Sequence, residues 1–600
     1  MTGDRVLFDD TAERRSVSLS GSIEAESVTV DNTLNYAFSG TGALAGHTAL
    51  VKRGSGMLTI SNDNTYTGGT RISGGTVSVN MLSNSTRAYG GLGGVVESAD
   101  LFVIENGATL RTTETVTQGS PMKMEGEDGG CVENLKDFII ETPVEGTLLT
   151  KKGEGWMKLN TACPSLERLA LNGGTVQCVA CDKPAQTVEF MSGTLYENTG
   201  SSYAIHVPEG GSGTWSLVND SYYSNKITGE GKLTIYCPVR HGIGWFATRT
   251  QMAVNLSQFT GTINATADMA DTYPRFTLNT SSGMPDGTLN IAGGVTVQNT
   301  GRTFRIGKLA GKGALGGYAS FANDGATGVN TWQVGCDDDF TWAGTVTANS
   351  KFEKVGSGKM TVSGVWDNTG EVAVKEGTLC LNDRSAENAM LGSGELSVED
   401  GAVLCGLGKL GNASVTVKRG GRLYSGTREG ASSGALDFSG KRLTVSAGGE
   451  VMFNVASKVR CTTLEGISSF SLRGTLKVSV REGLELEAGD EFQLWTANRT
   501  VLSSACTLDL DSPGEGLEWD TSALEDGVLK VKTATGIMGV VSGEPVDCVV
   551  YTLDGARAGY FTCMPSEVRE YMEENGFRPG MYMVKMTQGQ RTVSRKVTVD

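Results

Sequence analysis

The stretch Gly54–Val79, GSGMLTISNDNTYTGGTRISGGTVSV, decides the fold because its two halves recur together elsewhere in the chain. GSGMLTI begins at Gly54, and GGTVSVN begins 20 residues later, at Gly74. The same pair of phrases returns twice at the same offset, as GEGWMKL and GGTVQCV from Gly153 and Gly173, and as GSGKMTV and EGTLCLN from Gly356 and Glu376. Repetition at a fixed short period is typical of solenoid proteins.

The phrases themselves predict short β-strands. GMLTI, TRIS and TVSVN alternate apolar and polar residues and are rich in Thr, Val and Ile, as strands with one buried face are. NDN, TGG and SGG lie between them and supply the conformations that sharp turns need. Taken as three strands and three turns, roughly 20 residues make one coil of a parallel β-solenoid whose strands stack about 4.8 Å apart.

The alternative all-β fold is a series of antiparallel sandwiches. Such domains use tight hairpins with Asn-Gly or Asp-Gly turns. Asp128-Gly129 and Asp286-Gly287 are such pairs, but they do not recur in phase with the repeat. No helix-period segment separates the strands, which excludes βαβ units. We therefore predict a parallel β-helix over residues 1–535, built of roughly 20-residue coils with loop insertions that project outward.

Composition and charge narrow the class of protein. Glycine accounts for 83 of 600 residues and proline for only 12, and the net charge is −16. Scattered Lys and Arg on an acidic chain argue against nucleic-acid binding. No apolar run approaches the roughly 20 residues of a membrane-spanning helix. The N-terminus, MTGDRVLFDD, lacks the signature of a signal peptide. We expect the chain to be part of a longer secreted protein, and a catalytic domain upstream of Met1 is an alternative that the sequence leaves open.

The 12 cysteines are spread too thinly for a disulfide-stapled scaffold. Most lie within strand-like phrases such as GTLCLN, so we expect buried structural thiols with one or two bridges. CVAC, at Cys178–Cys181, has no second pair and no nearby histidine that would complete a zinc site.

Residues suited to catalysis are few. None of the three histidines, His47, His206 and His241, stands in a catalytic phrase, although His241 is near Arg240 and Trp245, a plausible sugar-stacking neighbourhood. Acidic clusters occur at Glu125–Asp128 and Asp337–Asp339, and calcium is the weaker alternative there because consecutive acids in a turn are usually solvated. A glycosidase needs two carboxylates at a fixed separation, and no pair can be nominated. We predict no catalytic residue, no cofactor and no metal.

The segment Leu50–Asn80 resembles the autotransporter-associated β-strand repeat found in passenger regions of bacterial secreted proteins. The resemblance rests on K-x-G-x-G-x-L, then N-T-Y-T-G-G-T, then G-G-T-L/V. GDRVLFDDTA from Gly3 and YAFSGTG from Tyr36 resemble segments that precede such repeats, and Gly516–Val531 resembles the phrase that closes them. The resemblance implies a right-handed parallel β-helix on a bacterial cell surface.

The last residues, 536–600, resemble the C-terminal sorting domain of type IX secretion substrates from Bacteroidetes. The motif order is Y-x-L-x-G, P-G-x-Y and K-V-x-V, at Tyr551, Leu553, Gly555, Pro579, Gly580, Tyr582, Lys596 and Val597. The resemblance implies a small β-sandwich that the secretion machinery recognises. One departure is Pro565–Gly576, which predicts a short helix with Ser566 as N-cap and Gly576 as its end. The alternative role is a domain that only caps the open edge of the solenoid.

Together these features predict a non-catalytic, β-helical stalk or adhesin-like protein, extracellular or on the outer-membrane surface and exported through its C-terminal domain. Its expected ligands are polysaccharides or host surfaces, contacted through Trp215, Trp245 and Trp332 if these lie exposed on one face. The alternative is a carbohydrate-active enzyme, a polysaccharide lyase or glycosidase, or the accessory region of one.

Overall fold

A computed structural model describes residues 3–218, 221–237, 251–268, 275–317, 330–347, 350–382, 391–534, 544–589 and 591–599. The chain divides into two compact units, Met1–Arg422 and Leu423–Asp600. The domain boundary predicted at residues 535/536 falls outside the described residues, within the second unit.

The described residues of the first unit form mostly short strands and one 3₁₀ turn, Ala99–Leu101. Its strands are Arg5–Asp9, Ser16–Leu19, Ser22–Glu24, Ser27–Asp31, Tyr36–Gly40, Ala43–Ala45, Ala49–Arg53, Met57–Ile60, Thr70–Ile72, Thr76–Val79, Tyr89–Gly90, Gly93–Gly94, Phe102–Glu105, Ala108–Thr112, Val116–Gln118, Met122–Glu125, Gly130–Asn134, Phe138–Ile140, Val144–Lys152, Trp156–Leu159, Leu166–Cys178, Thr187–Tyr196, Ala204–Val207, Ser212–Ser216, Tyr222–Tyr223, Lys226–Gly229, Lys232–Cys237, Gln251–Met252, Asn255–Phe259, Thr262–Ala267, Arg275–Leu278, Met284–Ile291, Thr296–Asn299, Thr303–Gly311, Ala314–Gly317, Asn330–Val334, Phe340–Trp342, Thr345–Val346, Ser350–Lys354, Lys359–Val362, Val372–Val374, Thr378–Asn382, Leu396–Val398, Val403–Lys409 and Ser414–Val417.

Apart from Tyr89–Gly90 and Gly93–Gly94, which pair antiparallel, these strands stack in parallel, which confirms the predicted β-solenoid. Thr76 lies opposite Met57 and Val79 opposite Ile60, while Leu50 lies opposite Thr70. The 20-residue offset is therefore one coil. The assignment of GMLTI, TRIS and TVSVN to a single coil is wrong, because TVSV stacks directly on MLTI and so belongs to the next coil.

Alternation along each strand builds the core. Strand Met57–Ile60 alternates half-buried and buried residues, with Leu58 and Ile60 inside, and the strands above and below repeat that pattern in register. Inward side chains of successive coils therefore pile up in aliphatic columns, and this burial is the main stabilising term.

The second unit begins with more parallel coils. Arg442 lies opposite Ser469, and Glu450 opposite Thr475. Strands Glu450–Ser457 and Arg460–Ile467 form a short antiparallel hairpin at their adjoining ends, with Val455 opposite Cys461 and Ser457 opposite Arg460. A three-stranded antiparallel sheet is also present. The strands are Arg422–Ser425, which starts at the last residue of the first unit, Gly434–Asp437, Arg442–Val445, Glu450–Ser457, Arg460–Ile467, Ser469–Leu472, Thr475–Val480, Glu491–Gln493, Trp495–Ala497, Thr500–Leu502, Thr507–Leu510, Leu517–Asp520, Val528–Thr533, Val546–Thr552, Arg557–Cys563, Gly580–Gln588 and Arg591–Val599, with a 3₁₀ turn at Leu524–Asp526.

The last four strands form one antiparallel sheet, and a helix, Val568–Glu574, covers one of its faces. Val568 and Met572 pack from the helix into the core of this sheet. The described residues of the segment thus form a sheet with a helix rather than two facing sheets, so the predicted sandwich is not confirmed. The predicted helix is present, but its N-cap is Glu567 rather than Ser566, and no side chain caps it.

Among the described residues, no helix is long and apolar enough to cross a membrane.

Candidate functional site

The predicted sorting residues lie at one end of the C-terminal sheet. Tyr551 is opposite Met583, which is opposite Lys596 on the next strand, so these three side chains form a row across the sheet. The row lies on the face away from the helix, because the next row contains Tyr582 and Val597, which are buried on the helix side.

The other motif residues shape the turns around that row. Leu553 is 60% exposed, and Gly555 has a φ of +86°, which suits a tight turn between the first two strands. Pro579 and Gly580 are exposed where the third strand begins, and the Tyr582 hydroxyl donates to the carbonyl of Arg578 at 2.9 Å. The structure therefore brings the motif residues together at one end of this sheet.

The uncovered face of this sheet carries large exposed side chains. Tyr560 is 56% exposed, with Arg557 above its ring at 5.6 Å, and Met581 and Met583 are also exposed. On the opposite face Phe561 stacks on Tyr571 of the helix, with ring centroids 4.4 Å apart. One face thus forms the core, and the other presents a mixed apolar and basic surface.

Sequence reasoning missed a buried lysine in each complete phrase. Lys52, Lys151 and Lys354 precede the first glycine by two residues and lie fully inside the core. The Lys151 ammonium donates to the carbonyls of Lys152 at 2.9 Å, Gly153 at 2.6 Å and Gly173 at 3.2 Å. Lys354 makes the corresponding bonds at 2.9, 2.7 and 3.1 Å, and Lys52 bonds the equivalent carbonyls.

This lysine explains why the two phrases recur as a pair. An ammonium has three donors, and two are used on the carbonyls of its own turn and one on the next coil. Gly174, with a φ of +61°, leaves room for it, because a Cβ there would lie 2.4 Å from the Gly153 carbonyl oxygen and 2.8 Å from the Lys151 ammonium. Burial lowers the pKa of Lys151 to about 8, and Lys52 and Lys354 share this direction and value.

A buried acid, Glu197, is a second group that the sequence did not reveal. It accepts hydrogen bonds from the Tyr203 hydroxyl and from the Trp215 indole, the latter at 3.3 Å. Burial raises the pKa of its carboxyl. A perturbed acid is a common mark of an active site, but Glu197 is fully enclosed, so a substrate does not reach it in this conformation.

The acidic clusters are engaged in local bonds. Glu125 bonds Arg71 at 2.9 Å and Lys123 at 3.0 Å. Asp338 pairs with Lys308 at 2.6 Å, and Asp337 accepts from the Ser357 hydroxyl at 2.7 Å. Within the described residues, no three His, Cys, Asp or Glu side chains converge as a metal site.

The described histidines also lie in local contacts, at 3.0 Å from Thr228 for His206 and 3.4 Å from Thr67 for His47. His241, together with Arg240 and Trp245, lies outside the described residues. Trp215 and Trp332 are fully buried, so these two do not meet the condition set for a glycan contact, which was exposure on one face. Trp156, by contrast, is 41% exposed.

None of the 12 cysteines forms a disulfide in the structure, and eight are buried, as expected for structural thiols. The expected one or two bridges are therefore not formed. Cys380 lies directly opposite Cys405 in adjacent coils, and Cys178 is close to Cys181.

A cleft of about 280 Å³ opens beside the hairpin of the second unit. Asn454 lines the cleft, and its side-chain amide donates to the Ala431 carbonyl at 2.8 Å. Among its lining residues Glu429 is the one carboxylate, and neither lysine nor arginine is present. A glycosidase needs two carboxylates, so these lining residues do not supply that chemistry.

A comparison with known protein families supports the identification of the repeat around Gly54. Residues 50–79 match the family model of the passenger-associated transport repeat. No curated protein matches the chain. The matched segment contains Lys52, Gly54 and Gly75, the residues that join two successive coils. The matched repeat and the parallel solenoid support an autotransporter-passenger-like β-helix.

Proposed function

We propose that this protein is a non-catalytic β-helical stalk, secreted or displayed on the bacterial surface, and that its C-terminal sheet is the element read by the secretion machinery. The observation that carries the first part is the stack of parallel coils joined by the buried lysines, together with the transport repeat at residues 50–79. Stacked coils are stable while loops vary, which suits a protein that presents surfaces.

The export role rests on the uncovered face of the C-terminal sheet. Tyr551, Met583 and Lys596 lie in one row there, bordered by the exposed Leu553 turn. Exposed apolar residues next to basic ones are suited to recognition by another protein. A domain that served only to cap a solenoid edge would not need these side chains at its surface.

The test is export from a type IX-competent host, read as protease-accessible protein on intact cells and in the medium. We expect deletion of residues 544–600 to abolish export, and Lys596→Ala with Tyr551→Ala to reduce it severalfold. Lys585→Ala is the matched control, since it removes a lysine from the same strand pair outside the motif. Normal export of the deletion variant would refute the sorting role.

The non-catalytic part has its own test. The purified chain is incubated with a panel of neutral and acidic polysaccharides, and released sugars are measured. We expect no release above a protein-free control. Release that Glu429→Gln abolishes would overturn this part of the proposal and locate the activity in the cleft of the second unit.

A further inference from the structure

One face of the first unit carries a strip of outward side chains that runs across seven stacked strands, from Trp156–Leu159 to Met284–Ile291. Over the residues of the strip, these strands pair in parallel without a register shift. We call this strip the platform. Its first column is Trp156, Thr175, Thr194, Thr214, Thr234, Asn264 and Asn290, and its second is Lys158, Gln177, Tyr196, Ser216, Tyr236 and Thr266.

The residues between the two columns point inward. Met157, Val176, Leu195, Trp215, Ile235 and Ala265 are all buried. Because side chains alternate along a strand, the platform residues face outward, although the small Ser216 side chain is covered by its neighbours and buried. The tryptophan predicted to contact a glycan, Trp215, is thus in the core directly beneath this surface.

The platform is almost free of charge in a chain whose net charge is −16. Its one ionic side chain, Lys158, donates to Asp137 at 2.6 Å and is neutralised there. An acidic polymer would meet no unpaired cation on the platform and would be repelled by the chain as a whole. The electrostatics therefore suit an uncharged ligand.

Hydroxyl and amide groups form an ordered ladder along the first column. The Asn290 amide donates to the Asn264 side-chain oxygen at 2.9 Å, and the Asn264 amide donates to the Thr234 hydroxyl at 3.4 Å. Threonines continue the column through three more strands. Short polar groups held in place by one another can bond ligand hydroxyls with little loss of side-chain entropy.

Aromatic side chains occur on alternate strands of the platform, at Trp156, Tyr196 and Tyr236. The rings of Trp156 and Tyr196 lie 6.3 Å apart at 45°. These two rings therefore contact each other and form one aromatic surface. Strands stack about 4.8 Å apart, so the positions of Tyr196 and Tyr236, two strands apart in the second column, are about 9.6 Å apart. Each pyranose of an extended β-1,4-linked chain advances by a distance close to one strand spacing, and alternate sugars present the same apolar face.

We propose that the platform binds an uncharged, extended β-1,4-linked polysaccharide that runs along the stack of strands. Trp156 and Tyr196 together contact the apolar face of one sugar, Tyr236 contacts that of the second sugar after it, and the threonine and asparagine ladder bonds the sugar hydroxyls. Aromatic rings with a few fixed polar groups are the usual composition of a specific binding surface. The inference rests on the proposed function, because a displayed stalk is the form in which this surface meets an external polymer.

The test uses the purified full chain and does not depend on export. Binding is measured by isothermal titration with cellohexaose and chitohexaose and by sedimentation with insoluble cellulose and chitin. Polygalacturonate is the acidic comparison. We expect binding to at least one neutral polymer and none to polygalacturonate, with a blue shift of tryptophan fluorescence as Trp156 leaves water.

Single variants locate the site. Trp156→Ala and Tyr236→Ala should each weaken binding by about tenfold, and Trp156→Phe should restore most of the loss. Tyr89→Ala is the control, since it removes an exposed tyrosine that lies outside the platform. Unchanged circular dichroism shows that each variant is folded.

Three results would overturn the inference: no binding to any neutral β-1,4-linked polymer, equal affinity of Trp156→Ala and Tyr89→Ala, or tighter binding of polygalacturonate. The export assay on cells fails or succeeds separately. Normal binding by a protein that is not exported would therefore remove the proposed export role and leave the platform in place.

Discussion

Two corners of the first unit begin with the same glycine pattern and are stabilised differently. One has Gly153-Glu154-Gly155, and the other has Gly229-Glu230-Gly231. Two residues before the first glycine lies Lys151 in one and Ile227 in the other, and both side chains are fully buried. At the first corner an ammonium bonds three carbonyls, whereas at the second an aliphatic side chain fills the same interior position.

The backbone conformation and the strand pairing also differ between the two corners. Gly153 has a φ of +79° and Gly229 a φ of +109°. Strand Lys226–Gly229 pairs with its neighbour through a register shift, while Lys151 lies in a regular pairing with Leu171. The lysine and the turn shape therefore differ together between the two corners, whereas a glycine of the next coil is kept in both, Gly174 at the first and Gly261 at the second.

The largest effect is expected when the lysine is placed in the wrong corner. Ile227→Lys buries an ammonium where the turn differs and the next strand is displaced. An uncompensated buried charge is destabilising by about 3–5 kcal/mol. Hydrogen exchange followed by mass spectrometry should show this loss in peptides that cover residues 222–237.

Glu230→Lys is the matched control, because the same side chain then lies at the exposed position of the same corner. We expect a change within about 0.5 kcal/mol. If Ile227→Lys were as stable as this control, the turn alone would be enough to hold an ammonium, and the comparison between the two corners would fail.

Much of the fold could be predicted because solenoid physics is local. The alternation of apolar and polar residues predicts the strands, the glycines predict the turns, and the fixed 20-residue offset predicts the length of one coil. Assigning strands to coils failed because sequence order does not reveal which strand stacks on which, and TVSV lies above MLTI. The sandwich was not confirmed because Val568 and Met572 of the helix supply the second layer, although a helix was predicted there.

The sites were harder to predict for a different reason. A lysine is expected outside, yet Lys52 follows Leu50 on the inward side of the alternation. Its recurrence at the same place in three phrases was the available signal. Trp215 was considered as a ligand contact because it is an aromatic residue that could lie exposed on one face, but its neighbours Thr214 and Ser216 already placed it on the inward side.

The second effect concerns the glycine that receives the lysine. Gly174→Ala places a methyl group 2.4 Å from the Gly153 carbonyl oxygen, at a φ of +61° that alanine disfavours. We expect a loss of about 2–4 kcal/mol in local stability. The measurement is hydrogen exchange of the peptides covering residues 144–178.

Gly210→Ala separates strain from contact. Gly210 has a φ of +74° with nothing within 4 Å of a Cβ, so only the conformational term of about 1–2 kcal/mol remains. Equal losses of stability for Gly174→Ala and Gly210→Ala would show that the close approach of the coils at Gly174 adds nothing to the destabilisation.

The smallest effect is the loss of the lysine itself. Lys151→Met keeps the apolar stem and removes the ammonium, so three buried carbonyls lose a donor. We expect a net loss of about 1–3 kcal/mol, because unpaired buried polar groups are destabilising. Lys152→Met is the control, since Lys152 is the next residue and is exposed; equal stability of the two variants would contradict a joining role for Lys151.

The pH dependence of stability then distinguishes the effect of the Lys151 amine from the effect of the volume that its side chain fills. The pKa of Lys151 is about 8 in the folded protein and about 10.4 when unfolded. Between these values the unfolded chain binds more protons, so the lysine adds stability as pH rises through 8 and no more above about 10.4. The methionine variant lacks this gain, so the difference in stability between the wild type and Lys151→Met should widen from pH 7 to pH 10. A gap that narrowed over this range would show that the protonated form is the one the three carbonyls favour, and that the joining of the coils depends on charge.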